Sequence, residues 1–168
     1  MSTATKTLYL VRHGKAGWRH HEVNDADRPL KKKGVEESRM MALHLRTKDT
    51  FPDLIITSPA KRAVQTARVF SEELGISDKY VQQNISIYSA SLEEVLTVIL
   101  GLDDKYSNVM IIGHDPALAN VAGFLTGRVV EKIPTAGIVE ITFNTNHWSK
   151  VSEDSGNMQF SISPKMFA

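Results

Sequence analysis

The fold of this chain is most constrained by a repeated order of segments: a short apolar run, an abrupt polar end, and then a helical pattern. The first run covers residues 7–11, is apolar or β-branched, and is too short for a helix, so it predicts a buried strand. The same signals predict further strands at residues 54–57, 80–87, 108–112 and 138–143. Helical patterns follow the first four strands, at residues 31–46, 59–74, 92–100 and 116–125. This alternation favours a three-layer α/β domain with a mostly parallel sheet.

The end of the chain is predicted to add an antiparallel edge hairpin. Residues 144–146 form a predicted turn after the strand at 138–143, and residues 147–151 are the predicted partner strand. This pairing would leave His147 exposed. Residues 158–168 are weakly patterned and carry no predicted element.

Length and composition predict one globular domain over residues 1–168, since 42% of the residues are hydrophobic and 23% are charged. The formal net charge of +1 gives no reason to expect a nucleic-acid partner or a membrane surface. The absence of cysteine excludes disulfides, thiol nucleophiles and cysteine-based zinc sites. No signal-like apolar segment precedes the first strand, so we expect a cytoplasmic protein.

Basic and imidazole side chains stand at the ends of three predicted strands. Arg12 and His13 follow the first strand, Arg62 lies in the first turn of a helix that Ser58 is predicted to cap, and His114 follows a later strand. Because the carboxyl ends of parallel strands meet at one edge, these side chains could surround one anion. Paired guanidinium groups match a phosphoryl group, and a neutral imidazole can attack its phosphorus. The alternative is that each is an ordinary solvated residue at a strand end.

The polar loop over residues 15–28 is long for a compact domain, and such loops are often functional. Its candidate residues are Trp18, His20, His21, Asp25, Asp27 and Arg28. The adjacent histidines could bind a metal or simply decorate the surface. No His-Glu-x-x-His spacing is present, and two nearby arginines would repel a divalent cation, so we expect no metal site.

Four segments within residues 8–116 together resemble the motifs of the histidine phosphatase superfamily. They are Leu10-Val11-Arg12-His13-Gly14, Asp25-Ala26-Asp27-Arg28-Pro29-Leu30, Thr57-Ser58-Pro59-Ala60-Lys61-Arg62-Ala63-Val64-Gln65-Thr66-Ala67 and Ile112-Gly113-His114. The resemblance is closest to the small single-domain branch, the bacterial phosphohistidine phosphatases. It implies a phosphoglycerate mutase-like fold and a phosphatase without a cofactor. His13 would be the phosphorylated nucleophile, and Arg12, Arg62 and His114 would complete the phosphate pocket.

The same resemblance leaves the general acid open. The mutase branch takes it from a glutamate after the third strand, whereas this chain has Ile87-Tyr88-Ser89-Ala90 there, with the nearest glutamates inside a predicted helix. This departure argues against a mutase. In the small branch a loop aspartate is the candidate acid, and Asp25 matches it better than Asp27. Arg28 would help to hold the substrate or the loop.

Three functions are compatible with the sequence. The first is hydrolysis of phosphohistidine in proteins, whose imidazole leaving group has a conjugate-acid pKa of about 6.5 and departs readily once protonated. The second is hydrolysis of a small phosphorylated metabolite or of another phosphoprotein. The third is a domain that binds phosphate without catalysis, or a scaffold.

Overall fold

A six-stranded sheet forms the centre of the computed structural model, which describes residues 5–17, 24–88 and 91–167. The strands lie in the spatial order β3-β2-β4-β1-β5-β6. The first four in that order are parallel, and β5 pairs antiparallel with both β1 and the edge strand β6. Their bounds are β1 Lys6–Arg12, β2 Leu54–Thr57, β3 Val81–Gln83, β4 Asn108–Gly113, β5 Ile138–Phe143 and β6 Gly156–Ile162.

Four helices cover the two faces of this sheet, as the alternating pattern predicts. They are α1 Lys32–Thr47, α2 Lys61–Leu74, α3 Leu92–Leu100 and α4 Ala117–Thr126. One apolar core packs α1 and α2 against the sheet, and a second packs α3 and α4 against the opposite face. The predicted three-layer, mostly parallel α/β fold is therefore confirmed. None of the described helices is both long and apolar enough to cross a membrane.

Helix ends follow the local signals in most places. Gly75 and Gly127 close α2 and α4 with φ of 67° and 71°, a conformation that glycine adopts without strain. The Ser91 hydroxyl caps α3 by accepting from the Glu94 N–H at 3.3 Å. Ser58 is different, because α2 begins only at Lys61 and Ser58 is not its cap. Its hydroxyl turns instead toward a histidine of the candidate site.

The third strand is shorter than predicted. Strand β3 covers only Val81–Gln83, and Ile85–Ile87 form a 3₁₀ turn rather than more strand. The reason is that β3 is an edge strand, and its pairing with β2 stops where β2 ends at Thr57. The Asn84 side chain then accepts from the Ser86 N–H at 2.9 Å and bends the chain. This bend buries Ile87 and brings Tyr88 to the candidate site.

The edge pair is antiparallel as predicted, but the predicted partner strand at residues 147–151 is wrong. The partner is β6, which extends into the weakly patterned residues 158–168, where apolar residues alternate with Gln159 and Ser161. Residues Trp148–Lys150 form a 3₁₀ turn, because the Trp148 ring is fully buried and its Nε1–H donates to the Tyr106 carbonyl at 2.7 Å. His147 is exposed, as expected.

Candidate active site

The candidate site is a pocket of about 660 Å³ at the carboxyl edge of the parallel strands. Backbone pairing places three strand ends side by side: the His13 N–H donates to the Gly113 carbonyl, and the Ser58 N–H donates to the Ile112 carbonyl. The lining residues include Arg12, His13, Lys15, Asp25, Arg28, Lys31, Arg62, Tyr88, His114 and Asp115.

His13 presents one ring nitrogen to the pocket. Its Nδ1 lies 2.7 Å from the Gly14 carbonyl oxygen, which can only accept, so Nδ1 carries the proton and donates. The other nitrogen, Nε2, therefore holds a lone pair, and the Arg62 Nε–H donates to it at 3.4 Å. The Gly14 N–H donates to the Thr66 hydroxyl at 3.0 Å, which ties this loop to α2. The ring is held with its lone pair toward the basic pocket.

Arg62 is the centre of the hydrogen-bond network. Only 5% of the residue is exposed, although it lies in the first turn of a helix whose dipole opposes a cation. Its two terminal nitrogens donate to the Asp25 carbonyl at 2.7 Å and to the Asp25 carboxylate at 3.0 Å. One of them also approaches the His114 Nδ1 at 3.4 Å. The contacts to the Asp25 loop offset the unfavourable dipole and hold the guanidinium beside both imidazoles.

His114 lies beside His13, with ring centroids 5.1 Å apart. Its Nε2 is 2.8 Å from the Ser58 hydroxyl, and its Nδ1 faces the Arg62 guanidinium. Since an arginine only donates, Nδ1 of the neutral ring accepts and Nε2–H donates to Ser58. Ser58 therefore orients this ring.

Arg12 lines the same pocket from the end of β1. One terminal nitrogen donates to the Ile133 carbonyl at 3.0 Å. Its Nε is buried and has no hydrogen-bond partner among the described residues. A buried guanidinium N–H without a partner destabilises the site, and an acceptor on a bound ligand would remove that cost.

The loop before α1 contributes Asp25 and Arg28. The Asp25 carboxylate accepts from the Tyr88 hydroxyl at 2.7 Å, from Arg62 at 3.0 Å and from Arg28 at 2.9 Å. Asp27 is exposed and does not line the pocket. Of the two candidate aspartates, Asp25 is thus the one beside the imidazoles, whereas Trp18, His20 and His21 lie outside the described residues. Sequence reasoning misses Tyr88, because a single tyrosine after a short edge strand carries no distinctive pattern.

The environment keeps both imidazoles neutral. Burial, with the nearby arginines, lowers the pKa of His13 to about 4, and burial with the neighbouring His13 and Arg62 lowers the pKa of His114 to about 3. The hydrogen bond from Tyr88, followed by those from Arg62 and Arg28, lowers the pKa of Asp25 to about 2. At neutral pH the resting site therefore holds two neutral imidazoles, an ionised carboxylate and at least three guanidinium groups.

This arrangement suits a tetrahedral oxyanion. Guanidinium donors match its oxygens, and a neutral imidazole such as the His13 ring can act as a nucleophile. No group of three or more His, Asp or Glu side chains within the described ranges could hold a metal ion. The structure thus brings together the predicted residues Arg12, His13, Arg62 and His114, with Asp25 and Arg28 at the rim.

The sheet and its pocket define an α/β protein with two neighbouring histidines and three arginines at the carboxyl edge of its parallel strands. A model of the histidine phosphatase superfamily (branch 1) matches residues 8–85. An uncharacterized protein of Picosynechococcus is 41% identical over 121 residues, which cover 68% of this chain and 70% of that protein. The chain belongs to the histidine phosphatase superfamily.

Solved structures of phosphatases share the whole fold. The protein histidine phosphatase SixA, solved in complex with tungstate, superposes with a TM-score of 0.83 and 22% identity over 96% of this chain and 99% of that one. A mycobacterial glucosyl-3-phosphoglycerate phosphatase gives a TM-score of 0.66 and 13% identity over 92% of this chain and 97% of that one. These similarities confirm the predicted phosphoglycerate mutase-like fold.

Proposed function

We propose that this protein is a phosphatase that acts through a covalent phosphohistidine at His13, with phosphohistidine in proteins as its substrate. The observation that carries the proposal is the His13 ring: Nδ1 is committed to the Gly14 carbonyl, and the Nε2 lone pair faces the pocket beside Arg62. Membership of the histidine phosphatase superfamily supports the same chemistry.

In the proposed first step, His13 Nε2 attacks phosphorus and forms a P–N bond while the bond from phosphorus to the substrate imidazole breaks. Arg12, Arg62 and His114 bind the equatorial oxygens, where charge accumulates in the transition state. For His114 this requires a proton on Nδ1, which a bound phosphate dianion favours because it reverses the local excess of positive charge. The departing imidazole takes one proton from solvent. Water then attacks the phosphorus of phospho-His13 and loses a proton to solvent, and the P–N bond breaks to release inorganic phosphate and the free ring.

The state of Asp25 favours a nitrogen leaving group. Its resting carboxylate is ionised, so it donates no proton until a ligand changes its surroundings. A phosphoryl group bound to Arg62 would compete with the Asp25 contacts, weaken them and raise the pKa of the carboxyl. An alkoxide leaving group needs firm proton donation, whereas an imidazole with a pKa of about 6.5 is protonated easily from solvent.

Hydrolysis of a small phosphorylated metabolite is the second candidate. It is favoured by the shared fold of a glucosyl-3-phosphoglycerate phosphatase. The two candidates are separated by kcat/KM on a phosphohistidine protein compared with sugar phosphates and nucleotides. A clear preference for the phosphohistidine protein supports the first candidate, and a preference for a metabolite replaces it with the second.

The nucleophile is tested by His13→Ala, with His147→Ala as the control because His147 is an exposed histidine outside the pocket. The wild type and the control should hydrolyse an aryl phosphate and, after acid-free denaturation, retain label from a ³²P substrate on a histidine. His13→Ala should do neither. Turnover that persists in His13→Ala would reject the nucleophile, and no turnover in the wild type would indicate a phosphate-binding or scaffold domain. Activity should also survive a chelator.

A further inference from the structure

A second depression adjoins the candidate active site. It has a volume of about 450 Å³ and shares Lys15 and Thr135 with the catalytic pocket. Four lysines line this depression, which we call the lysine groove: Lys15, Lys33, Lys132 and Lys165. Its remaining wall is formed by Glu37, Pro134, Thr135, Ser163 and Pro164.

Most of the positive charge in the groove is not neutralised within the protein. Lys15 lies 3.8 Å from Glu37, a long ion pair. In the part of the chain that the structure describes, no acidic oxygen lies within 4.0 Å of the ammonium groups of Lys33, Lys132 or Lys165. The groove therefore presents cations that are available to an external anion.

The concentration of charge is local. The linings of the pocket and the groove contain eight of the twenty Lys and Arg residues of the chain but three of its nineteen Asp and Glu residues. The formal net charge of the whole chain is only +1, so the remaining Lys, Arg, Asp and Glu residues of the sequence are on balance acidic. Such a field directs an acidic partner to this face rather than to the protein in general.

The lysines of the groove differ from the arginines of the pocket in their exposure and in the anions that they suit. Arg62 is 5% exposed and fixed by hydrogen bonds, whereas the side chain of Lys15 is 43% exposed. Rigid guanidinium forks suit one phosphoryl group, and mobile, hydrated ammonium groups suit carboxylates spread along a surface. A single phosphate with a small leaving group is held by the pocket and leaves the groove unused.

We propose that the lysine groove binds an acidic segment of the protein substrate, next to the phosphorylated residue that enters the pocket. This proposal rests on the proposed phosphatase function and names its partner: a phosphoprotein with Asp and Glu residues close to the phosphorylated histidine. The groove then contributes to KM and to the choice of substrate, and it takes no part in the chemical step.

The test uses two synthetic phosphohistidine peptides that differ only in their flanks, four Glu residues in one and four Gln residues in the other. Three proteins are compared: the wild type, Lys132→Gln/Lys165→Gln, and the control Lys79→Gln/Lys150→Gln, whose exposed lysines lie outside both the pocket and the groove. The wild type and the control should prefer the Glu peptide by about fivefold in kcat/KM, an effect that salt removes. The groove variant should lose this preference and keep its turnover of an aryl phosphate.

An equal kcat/KM for the two peptides in the wild type, or a preference that survives in the groove variant, overturns the proposal. So does a groove variant that loses turnover only of a small metabolite with a second anionic group. Failure of the proposed function is seen separately, as hydrolysis of neither peptide. In that case the groove is tested by binding instead. The same two peptides carry a stable phosphonate analogue of phosphohistidine, and fluorescence anisotropy measures their Kd values. The wild type and the control should again prefer the Glu peptide by about fivefold, and the groove variant should not.

Discussion

The Tyr88 hydroxyl donates a 2.7 Å hydrogen bond to the Asp25 carboxylate, joining the turn after β3 to the loop before α1. The Tyr88 ring also meets the His114 ring edge-on at 5.6 Å. The hydrogen bond from Tyr88 is the largest cause of the lowered pKa of Asp25, and Asp25 in turn raises the pKa of the Tyr88 hydroxyl. Tyr88 therefore fixes both the position and the charge of the carboxylate that faces Arg62.

Tyr88→Phe should weaken the hold on Asp25 without removing a ring from the site. The pKa of the Asp25 carboxyl should rise, because its strongest stabilising hydrogen bond is lost, and NMR titration of the side-chain carboxyl measures this. We expect kcat on an aryl phosphate to fall by about three- to tenfold, the effect of one hydrogen bond to a charged group, because Asp25 then holds Arg62 less firmly. An unchanged Asp25 pKa would show that the two side chains do not interact in solution.

Asp25→Asn should distinguish the leaving groups. With an alkyl phosphate, where the oxygen needs a proton, kcat should fall by about 100-fold or more. With phosphohistidine the loss should be about tenfold or less, since the imidazole is protonated easily. Asp27→Asn is the matched control, because Asp27 lies in the same short turn but outside the pocket. Equal losses on both substrates would remove Asp25 as a proton donor.

The sequence is enough to predict strands β1, β2, β4 and β5 to within one residue at each end. Each is a short apolar run that ends at or near Gly, Ser or Pro, and such a run fits few structures other than a buried strand. The sequence also brings Arg12, His13, Arg62 and His114 to one edge, since parallel strands end together. It does not reveal where β3 stops, which depends on the length of its neighbour. It does not reveal that the Trp148 ring must be buried, which displaces the edge strand to β6. The choice of Asp25 over Asp27 depends on the tertiary contacts of Arg62 and Tyr88.

Lowered imidazole pKa values predict a loss of stability in mild acid. In the folded protein the pKa is about 4 for His13 and about 3 for His114, while in the unfolded chain both lie near 6.5. Between these values the unfolded state binds more protons, so the free energy of unfolding falls as the pH decreases from about 6.5. From pH 7 to pH 5 we expect a loss of about 2 kcal/mol for the two rings together, since the open pocket moderates each effect.

Urea unfolding at pH 7 and pH 5 measures this loss. The double variant His13→Asn/His114→Gln should show a smaller difference between the two pH values, and His147→Gln should keep the difference of the wild type. Inorganic phosphate should reduce the loss, because a bound phosphate anion favours the protonated rings. An identical pH dependence in the double variant and the wild type would mean that these imidazoles do not destabilise the fold in acid.

Gly34 shows how closely α1 approaches the loop that follows His13. A Cβ at this position would overlap the Lys15 carbonyl oxygen and lie 2.9 Å from the Lys15 nitrogen, so backbone would have to move. Gly34→Ala should therefore destabilise the protein by about 1–3 kcal/mol, and it should lower kcat because the displaced loop also carries His13 and Gly14. Gly101→Ala is the control, since its new Cβ would make only ordinary contacts, at 3.4 Å and beyond. Thermal unfolding and aryl phosphate turnover measure both effects, and a Gly34→Ala protein with the Tm and the kcat of the wild type would show that the helix does not constrain the loop.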